Sequence, residues 1–244
     1  MYEEHVLKVI INSKYLVAFT GAGISAESGI PTFRGKDGLW SKYDPTKLAS
    51  PWGFQENPKL VWEWYKWRMS MIMNAKPNPA HYTLALLEKM HILKSIITQN
   101  IDGLHQKAGS LNVIEIHGNI WKVKCTVCNY RSRLIEPPES VPPHCPKCGA
   151  ILRPDVVWFG EPLPEDEWSR AIGEASRCDV MLVIGTSGVV MPAALIPNIA
   201  KSKGAIIVEI NPETTPISEI ADIKVPEPAG VFFSKIKSLL RTFQ

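Results

Sequence analysis

Short runs of consecutive apolar residues recur along the chain, and they alternate with segments in which apolar residues follow helical spacing. Continuous apolar runs are typical of strands covered on both faces, so the pattern predicts an α/β fold with a parallel, doubly wound sheet. The predicted strands are 15–19, 95–98, 113–116, 156–159, 180–184 and 205–210, and the predicted helices are 80–90, 165–176, 193–201 and 231–243.

Two segments interrupt this alternation. Segment 35–77 is rich in tryptophan and contains a predicted helix at 58–73, whereas segment 120–152 contains four cysteines and several prolines. We expect both to form a small second domain, inserted into a sheet domain made of residues 1–34, 78–119 and 153–244. The cleft between the two domains is then the natural ligand site.

Composition is that of an ordinary globular protein. The chain has 244 residues, of which 45% are hydrophobic, and this is ample for a packed core. Its net charge of +3 is too weak to indicate a nucleic acid or an anionic membrane as partner. The first residues have neither the cationic region nor the apolar run of an export signal, and paired cysteines suit a reducing compartment, so we expect a cytoplasmic protein.

Segment 180–200 is apolar and about as long as a membrane span. Glycine, proline and polar residues interrupt it, among them Gly185, Ser187 and Pro197. A buried strand, a turn and a packed helix explain this pattern better than a membrane helix does. We therefore expect no membrane association.

The cysteines form a CxxC pair, a gap of sixteen residues and a second CxxC pair, at Cys125, Cys128, Cys145 and Cys148. Two such turns supply the four thiolates that tetrahedral zinc prefers, and a site closed by four protein ligands is structural rather than catalytic. The fifth, Cys178, is interpreted as a small buried hydrophobe. An alternative is a zinc ribbon that binds nucleic acid, although its nearby charges are few for a phosphate track: Lys122, Lys124, Arg131 and Arg133.

A glycine-rich loop follows the first predicted strand. Residues 21–26 match GxGxxG/A, in which glycines allow a tight turn and a close approach to a pyrophosphate at a helix N-terminus. The motif is weak by itself. Dehydrogenases carry an acidic residue about twenty positions later, at the end of a second strand, but Asp37 and Asp44 follow no apolar strand here. This disfavours hydride transfer.

The glycine loop together with residues 29–34 resembles the signature of the sirtuins, NAD-dependent protein lysine deacylases. Further matches follow in family order at 98–105, 117–118, the four cysteines, 159–161, 185–187, 190–194 and 210–211. The resemblance extends from Thr20 to Asn211. It implies a Rossmann-type NAD-binding domain with a smaller zinc-bearing module, NAD as co-substrate and structural zinc.

The resemblance also implies a catalytic pair, His117 and Asn100. An imidazole suits removal of a ribose hydroxyl proton, and His117 follows a predicted strand at the edge where open α/β sheets bind ligands. Asp102 would engage the nicotinamide carboxamide and Asn100 the ribose and a water, the alternative being an Asx turn that caps the next helix. His105 is a rival base that we interpret as a structural partner, and Gln99 would hold the ribose.

Other cofactor contacts are implied in the same way. Phe33 would shield the reaction centre, Arg34 would meet phosphate or ribose, and Asn211 would face the adenosine ribose. The full set of expected cofactor-binding residues is Gly21, Ala22, Gly23, Ser25, Glu27, Thr32, Phe33, Arg34, Trp40, Gln99, Asn100, Ile101, Asp102, Gly185, Thr186, Ser187, Asn211, Pro212, Glu213 and Ala229.

In sirtuins the acyl-lysine oxygen attacks the anomeric carbon of NAD, and the products are free lysine, nicotinamide and O-acyl-ADP-ribose. An acylated peptide would enter as an extra strand and pair through its main chain. It would lie between two segments, Val157, Trp158, Phe159, Gly160 and Glu161 on one side and Gly188, Val189 and Val190 on the other. Transfer of ADP-ribose to a protein side chain uses the same electrophile and stays open.

Tyr65 and Arg68 stand three residues apart in the helix predicted at 58–73, so their side chains share one face. Sirtuins with this pair remove acidic acyl groups such as succinyl and malonyl, and a guanidinium beside a phenol can clamp a carboxylate. Thr32 also departs from the aspartate common in the deacetylase branch. The alternative is an aromatic packing helix in which Arg68 snorkels to solvent or pairs with Glu63.

Overall fold

The computed structural model describes residues 2–34 and 38–242. Asp37, the start of segment 35–77 and the end of the helix predicted at 231–243 lie outside the described residues. The strands are β1 Leu16–Thr20, β2 Leu93–Thr98, β3 Val113–Glu115, β4 Gly118–Cys125, β5 Arg131–Arg133, β6 Leu152–Val156, β7 Val180–Ile184, β8 Ile206–Ile210 and β9 Ile223–Val225. The α-helices are α1 Tyr2–Asn12, α2 Pro45–Leu48, α3 Pro51–Glu56, α4 Pro58–Asn74, α5 Pro79–Lys89, α6 Leu104–Lys107, α7 Glu165–Arg177, α8 Ile196–Ser202 and α9 Ala229–Thr242.

The main sheet is parallel and has the order β3-β2-β1-β7-β8-β9. Alternate β1 residues face opposite cores, with Leu16 and Ala18 packed under helices α1, α5 and α9, and Val17 and Phe19 packed under α7 and α8. Every β1 residue is buried, as a strand covered on both faces must be. The predicted doubly wound α/β fold is confirmed.

The strand order changes direction between β1 and β7. From β1 the chain runs outward through β2 and β3, and it later returns to β7 and runs outward the other way through β8 and β9. The loops after β1 and β7 therefore leave the sheet in opposite directions and open a crevice at the carboxyl ends of the strands.

The strand predicted at 156–159 is wrong. The observed strand, β6, ends at Val156 and pairs antiparallel with β4 in a separate three-stranded sheet of order β5-β4-β6. Residues after it use loop partners, because the Val157 N–H donates to the His117 carbonyl and the Phe159 N–H donates to the Ala49 carbonyl. The run is apolar because Val156 and Trp158 fill the core beneath this second sheet, and not because it crosses the main one.

That second core joins the two segments that interrupt the alternation. Helix α4 contributes Trp62 and Met69, and the three-stranded sheet contributes Ile120 and Val123. The Trp62 indole N–H donates to the Leu152 carbonyl at 2.7 Å, so the helical and zinc segments are also linked by a buried hydrogen bond. The exact residues at which the chain divides into two domains stay a prediction.

Helix α4 carries Tyr65 and Arg68, the two residues expected to bind an acidic acyl group. Asn57 caps it by accepting from the Leu60 N–H at 3.0 Å, and Pro58 occupies the first turn, where a missing N–H does no harm. Its buried residues recur every three to four positions and include both Tyr65 and Arg68. Within residues 2–34 and 38–242, none of the helices combines the length and apolar character needed to cross a bilayer.

Candidate active site

A cavity of about 600 Å³ opens at the carboxyl ends of β1 and β7, between the main sheet and the second core. Most predicted site residues line it: Gly21, Ala22, Gly23, Glu27, Thr32, Phe33, Arg34, Trp40, Tyr65, Arg68, Gln99, Asn100, Ile101, His117, Val157, Trp158, Phe159, Gly160, Glu161, Gly185, Thr186, Ser187, Val190, Asn211, Pro212, Glu213 and Ala229. Among the residues predicted to bind cofactor or substrate, four do not line it, namely Ser25, Asp102, Gly188 and Val189.

Sequence reasoning missed further lining residues, which are Ala26, Ala49, Trp64, Val156, Leu163, Met191, Pro192, Ile210, Thr215 and Pro228. Trp64 is the most informative of these. It stands one helical turn before Arg68, a spacing that could have identified it. The others are small or apolar residues without a chemical signature, and only the tertiary structure brings them to the cavity.

The glycine loop is pressed against the loop after β7. The Gly23 N–H donates to the Gly185 carbonyl at 2.8 Å, and the Gly21 N–H donates to the Ile184 carbonyl at 3.0 Å. A Cβ on Gly185 would lie 2.4 Å from the Ile24 nitrogen, and Gly185 has a φ of +58°. The two loops therefore form one backbone-lined wall, the kind of surface that a pyrophosphate can approach closely.

Side chains tie the ends of β2, β7 and β8 together. The Gln99 amide donates to the Thr186 hydroxyl at 2.8 Å, and the Asn211 amide donates to the Thr186 carbonyl at 2.9 Å. The Asn211 side-chain oxygen also accepts from the Glu213 N–H at 3.1 Å. Gln99, Thr186 and Asn211 all line the cavity, so this network fixes polar groups where the resemblance places the ribose units.

One hydrogen bond of His117 defines the tautomer of its ring. Its Nδ1 lies 3.1 Å from the Gln99 carbonyl, and a carbonyl can only accept, so Nδ1 carries the proton of the neutral ring. Nε2 is then an unprotonated acceptor on a cavity-lining side chain, without a hydrogen-bond partner among residues 2–34 and 38–242. Burial lowers the pKa of His117 below its ordinary value, against the opposing effect of the Gln99 bond, and this favours the neutral ring at pH 7.

Asn100 and Asp102 lie at different depths. The Asn100 amide donates to the Gly21 carbonyl at 3.0 Å on the cavity wall. Asp102 lies behind that wall, where one oxygen accepts from the Ser25 hydroxyl at 2.8 Å and the other accepts from the Leu104 N–H at 2.8 Å. Asp102 thus also forms an Asx turn just before the following helix, α6, whose N-cap is Gly103. Burial raises the pKa of its carboxyl.

His105 is buried away from the cavity. Its Nε2 lies 3.0 Å from the Thr20 hydroxyl, its ring packs 5.0 Å from that of His81, and only 1% of its surface is exposed. Burial places the pKa of His105 well below its ordinary value. This position supports its interpretation as a structural partner rather than a base.

Aromatic rings line the side of the cavity nearest the second core. Trp40 lies 5.1 Å from Phe33, 5.6 Å from Trp64 and 6.0 Å from Phe159. An apolar wall of this kind favours the exclusion of water from the cavity.

Arg68 belongs to this wall and is only 4% exposed. Its guanidinium lies 4.7 Å from the centre of the Phe33 ring and 5.0 Å from that of Trp64. No carboxylate within residues 2–34 and 38–242 forms an ion pair with it, and Glu63 is instead 3.9 Å from Lys59. Burial lowers the pKa of Arg68, with the Tyr65 hydroxyl and Asp102 acting in the opposite direction, yet a guanidinium stays charged.

A model of the Sir2 family matches residues 21–192, which is well over half of the chain. The chain belongs to the Sir2 family. It is 57% identical over 242 residues to the NAD-dependent protein deacylase of Pyrococcus furiosus, covering 97% of both chains. It is also 55% identical over 227 residues to the NAD-dependent protein deacylase of Aquifex aeolicus, covering 93% of this chain and 95% of the other.

Solved Sir2 structures share the fold. A Sir2 homologue–NAD complex matches with a TM-score of 0.93 and 52% identity, covering 99% of this chain and 95% of the other. A Sir2 complex with a deacetylated peptide and 3′-O-acetyl ADP-ribose matches with a TM-score of 0.91 and 37% identity, covering 98% of each. NAD is thus a ligand of Sir2 structures, and the resemblance to sirtuins is confirmed at the level of family and fold.

The four cysteines of this Sir2 chain fit a structural zinc ion. Their sulfur atoms all lie within 4.8 Å of one another. The Val127 and Cys128 N–H groups both point at the Cys125 sulfur at 3.4 Å, as expected around a thiolate ligand. The Cys128 N–H is the main cause that lowers the pKa of Cys125 to about 6.

The basic residues beside the zinc module are mostly paired within this Sir2 protein. Lys122 contacts Glu115 at 2.8 Å, and both Lys124 and Arg131 contact Asp155. Charges that are already neutralised release few counterions from a phosphate backbone. This arrangement weakens the alternative of a nucleic-acid-binding ribbon.

Proposed function

We propose that this protein is an NAD-dependent protein lysine deacylase, which transfers the acyl group of a modified lysine to ADP-ribose and releases nicotinamide and O-acyl-ADP-ribose. The observation that carries the proposal is the neutral His117, with its free Nε2 on the wall of a cavity that also holds the glycine loop. Relatives that are more than half identical carry the deacylase name, which supports the same conclusion.

The cavity residues suit NAD as the co-substrate. Its pyrophosphate would lie against the backbone of the Gly21 and Gly185 loops, and its riboses near Gln99 and Asn211. NAD supplies an electrophilic anomeric carbon and nicotinamide as the leaving group. With NAD bound, His117 accepts a proton from a ribose hydroxyl through Nε2 and becomes an imidazolium, while the bond to Gln99 keeps the ring oriented.

The bond changes of the whole reaction balance without an external oxidant or reductant. The acyl oxygen of the lysine amide forms a bond to the anomeric carbon as the bond to nicotinamide breaks. The deprotonated ribose hydroxyl then bonds to the acyl carbon, and the bond from this carbon to the lysine nitrogen breaks as the nitrogen takes a proton and leaves as a free amine. Water adds to the acyl carbon, and the bond from this carbon to the anomeric oxygen breaks, which leaves the acyl ester on the ribose and a hydroxyl on the anomeric carbon. The aromatic wall matters because early water would intercept the activated sugar and yield free ADP-ribose instead.

The acyl group that fits the cavity best carries a carboxylate. Arg68 is a buried charge without an ion-pair partner in the described part of the chain, and an unpaired buried charge is strongly unfavourable. A succinyl or malonyl group would place a carboxylate beside Arg68 and Tyr65, whereas an acetyl group would leave the guanidinium unpaired. We therefore propose desuccinylase and demalonylase activity in addition to deacetylation.

Backbone groups available for a peptide strand flank the cavity mouth. The N–H groups of Gly160, Val189 and Val190 donate to nothing within residues 2–34 and 38–242, whereas those of Val157 and Phe159 are already bonded. Pairing at these groups would recognise the main chain of the peptide more than its side chains. We propose loose sequence preference, to be checked by alanine substitutions on either side of the modified lysine, which should leave turnover largely intact.

Product analysis tests the activity itself. The protein is incubated with NAD and with acetyl-, malonyl- and succinyl-lysine peptides, and products are identified by mass. O-acyl-ADP-ribose, nicotinamide and free lysine are expected, and His117→Tyr should abolish all three. Protein that gains ADP-ribose, with the acyl peptide untouched, would support a protein ADP-ribosyltransferase and contradict the proposal.

Replacing the guanidinium tests the acyl class. Arg68→Met keeps an unbranched, flexible side chain and removes the guanidinium with its charge, and its control is Arg133→Met on the exposed strand β5. Loss of a buried charge pairing is worth roughly 2 to 5 kcal/mol, so the ratio of kcat/KM for succinyl over acetyl peptide should fall by at least about thirtyfold. An unchanged ratio in Arg68→Met would refute the proposal that Arg68 binds the carboxylate of the acyl group.

A further inference from the structure

Trp158 lies directly behind the proposed acyl site. Its side chain is 2% exposed, and its indole N–H donates to the Tyr65 hydroxyl oxygen at 2.9 Å. Both residues line the cavity. Main-chain pairing with a peptide gives no role to this buried contact between two side chains.

The contact determines what the Tyr65 hydroxyl can do. A phenol has one donor and two acceptor positions, whereas an indole N–H can only donate. Trp158 therefore occupies an acceptor position of the Tyr65 oxygen. No acceptor for the Tyr65 proton lies within hydrogen-bond distance in the described part of the chain, so the O–H remains available to a ligand in the cavity.

The indole itself is held in place from several sides. The Arg153 guanidinium lies 3.6 Å from the centre of the Trp158 ring and forms two hydrogen bonds to Glu161, at 2.6 and 2.9 Å. Glu161 also accepts from the Trp158 backbone N–H at 2.9 Å, and the Phe54 ring lies 5.1 Å away. The indole N–H has no freedom to turn toward another acceptor.

We propose that Trp158 is a positioning residue for acyl specificity, whose indole N–H fixes Tyr65 as a hydrogen-bond donor toward the carboxylate of a succinyl or malonyl group. The inference rests on the proposed acidic-acyl activity. Without the indole N–H, both acceptor positions of the Tyr65 oxygen are open, and the hydroxyl can turn to accept from the neighbouring Arg68. Arg68 and Tyr65 would then bond to each other, and fewer of their N–H and O–H groups would remain to bind the carboxylate of the acyl group.

The test removes only the N–H. Trp158→benzothienylalanine keeps the bicyclic ring and replaces the N–H by sulfur, and the matched control is the same replacement at Trp62, whose N–H donates to a main-chain carbonyl instead. Loss of one hydrogen bond to a group that binds a charge should lower the succinyl-to-acetyl ratio of kcat/KM about tenfold at Trp158. The change should fall on KM for the succinyl peptide, and the Trp62 variant should keep the parental ratio.

A double-mutant cycle shows whether Trp158 acts through Tyr65. In a Tyr65→Phe background the Trp158 replacement should cause no further fall in the ratio, since the oxygen that it positions is gone. An additional tenfold fall in that background, or an equal loss on acetyl and succinyl peptides, would overturn the inference. Thermal unfolding of each variant confirms that the compared proteins are folded.

Arg68→Met separates the two proposals. If that variant lowers the succinyl-to-acetyl ratio and the Trp158 variant does not, the acidic-acyl activity stands and the role of Trp158 is refuted. If Arg68→Met leaves the ratio unchanged, both proposals fail together.

Discussion

Gly185→Ala tests how closely the glycine loop after β1 must approach the loop after β7. Gly185 has a φ of +58°, and an added Cβ would lie 2.4 Å from the Ile24 nitrogen and 2.6 Å from the Gly23 carbonyl carbon. An ordinary contact begins near 3.4 Å, so the loops must separate by 3.4 − 2.4 = 1.0 Å. The neighbours are backbone atoms that cannot rotate away.

The expected loss of stability has separable parts. A left-handed conformation costs alanine about 1–2 kcal/mol, and forcing extra volume into a packed site costs about 1–3 kcal/mol. Weakening the Gly23–Gly185 hydrogen bond adds about 1 kcal/mol. The free energy of unfolding should therefore fall by roughly 3–6 kcal/mol in Gly185→Ala.

Gly204→Ala is the matched control. Gly204 has a φ of +91°, yet nothing lies within 4 Å of its added Cβ, so this variant carries backbone strain alone. Urea unfolding followed by circular dichroism gives the two free energies, and calorimetric titration gives the Kd for ADP-ribose. A shift of about 1 Å at the phosphate wall should weaken ADP-ribose binding by more than about tenfold in Gly185→Ala only. Equal unfolding free energies and equal Kd values in the two variants would refute the reasoning.

Further outcomes follow from the pKa values and the zinc site. Because burial lowers the pKa of His117 below 6.5, the ring stays neutral at pH 7. As the pH falls, kcat/KM should therefore begin to decrease only below pH 6.5, and a decrease that begins above pH 7 would contradict this. Burial lowers the pKa of His81 to about 4 from 6.5, so the unfolded chain binds the proton first as the pH falls. His81 should account for about 3 kcal/mol of the fall in the free energy of unfolding between pH 6.5 and 4, and His81→Gln should remove that part of the dependence in urea titrations. Cys145→Ser should abolish zinc binding, measured by atomic emission, and lower the Tm, whereas Cys178→Ser should keep the zinc.

The pattern of apolar residues predicted most of the main sheet. It failed where an apolar run packs into the second core instead of forming a strand of that sheet. Strand β7 was predicted at its observed residues because a parallel strand between two helical layers must be continuously apolar. The run at 156–159 has the same composition but fills the second core. The helix predicted at 193–201 divides into a 3-10 turn, Ala193–Leu195, and α8, because Pro197 has no N–H to continue an α-helix.

Candidate chemistry was predictable where a residue type has few alternatives. Two CxxC pairs predict a tetrahedral site of four thiolates, whatever the fold of the surrounding chain. Asp102 lies behind the cavity wall, and its contact with the nicotinamide stays a prediction, because its sequence position is the same whether the carboxylate faces a ligand or forms an Asx turn. Trp64 was not among the predicted site residues, although its position one helical turn before Arg68 could have indicated it.

The sequence by itself determined the fold class, the metal site and the glycine loop, because each depends on residues close together in the chain whose geometry is local. Only the tertiary structure decided that the Gln99 carbonyl accepts from Nδ1 of neutral His117, that Arg68 has no ion-pair partner among the described residues, and that the Trp158 N–H donates to the Tyr65 hydroxyl. Those properties depend on partners from separate strands and helices. Burial and hydrogen-bond direction exist only once the two cores enclose the cavity between them.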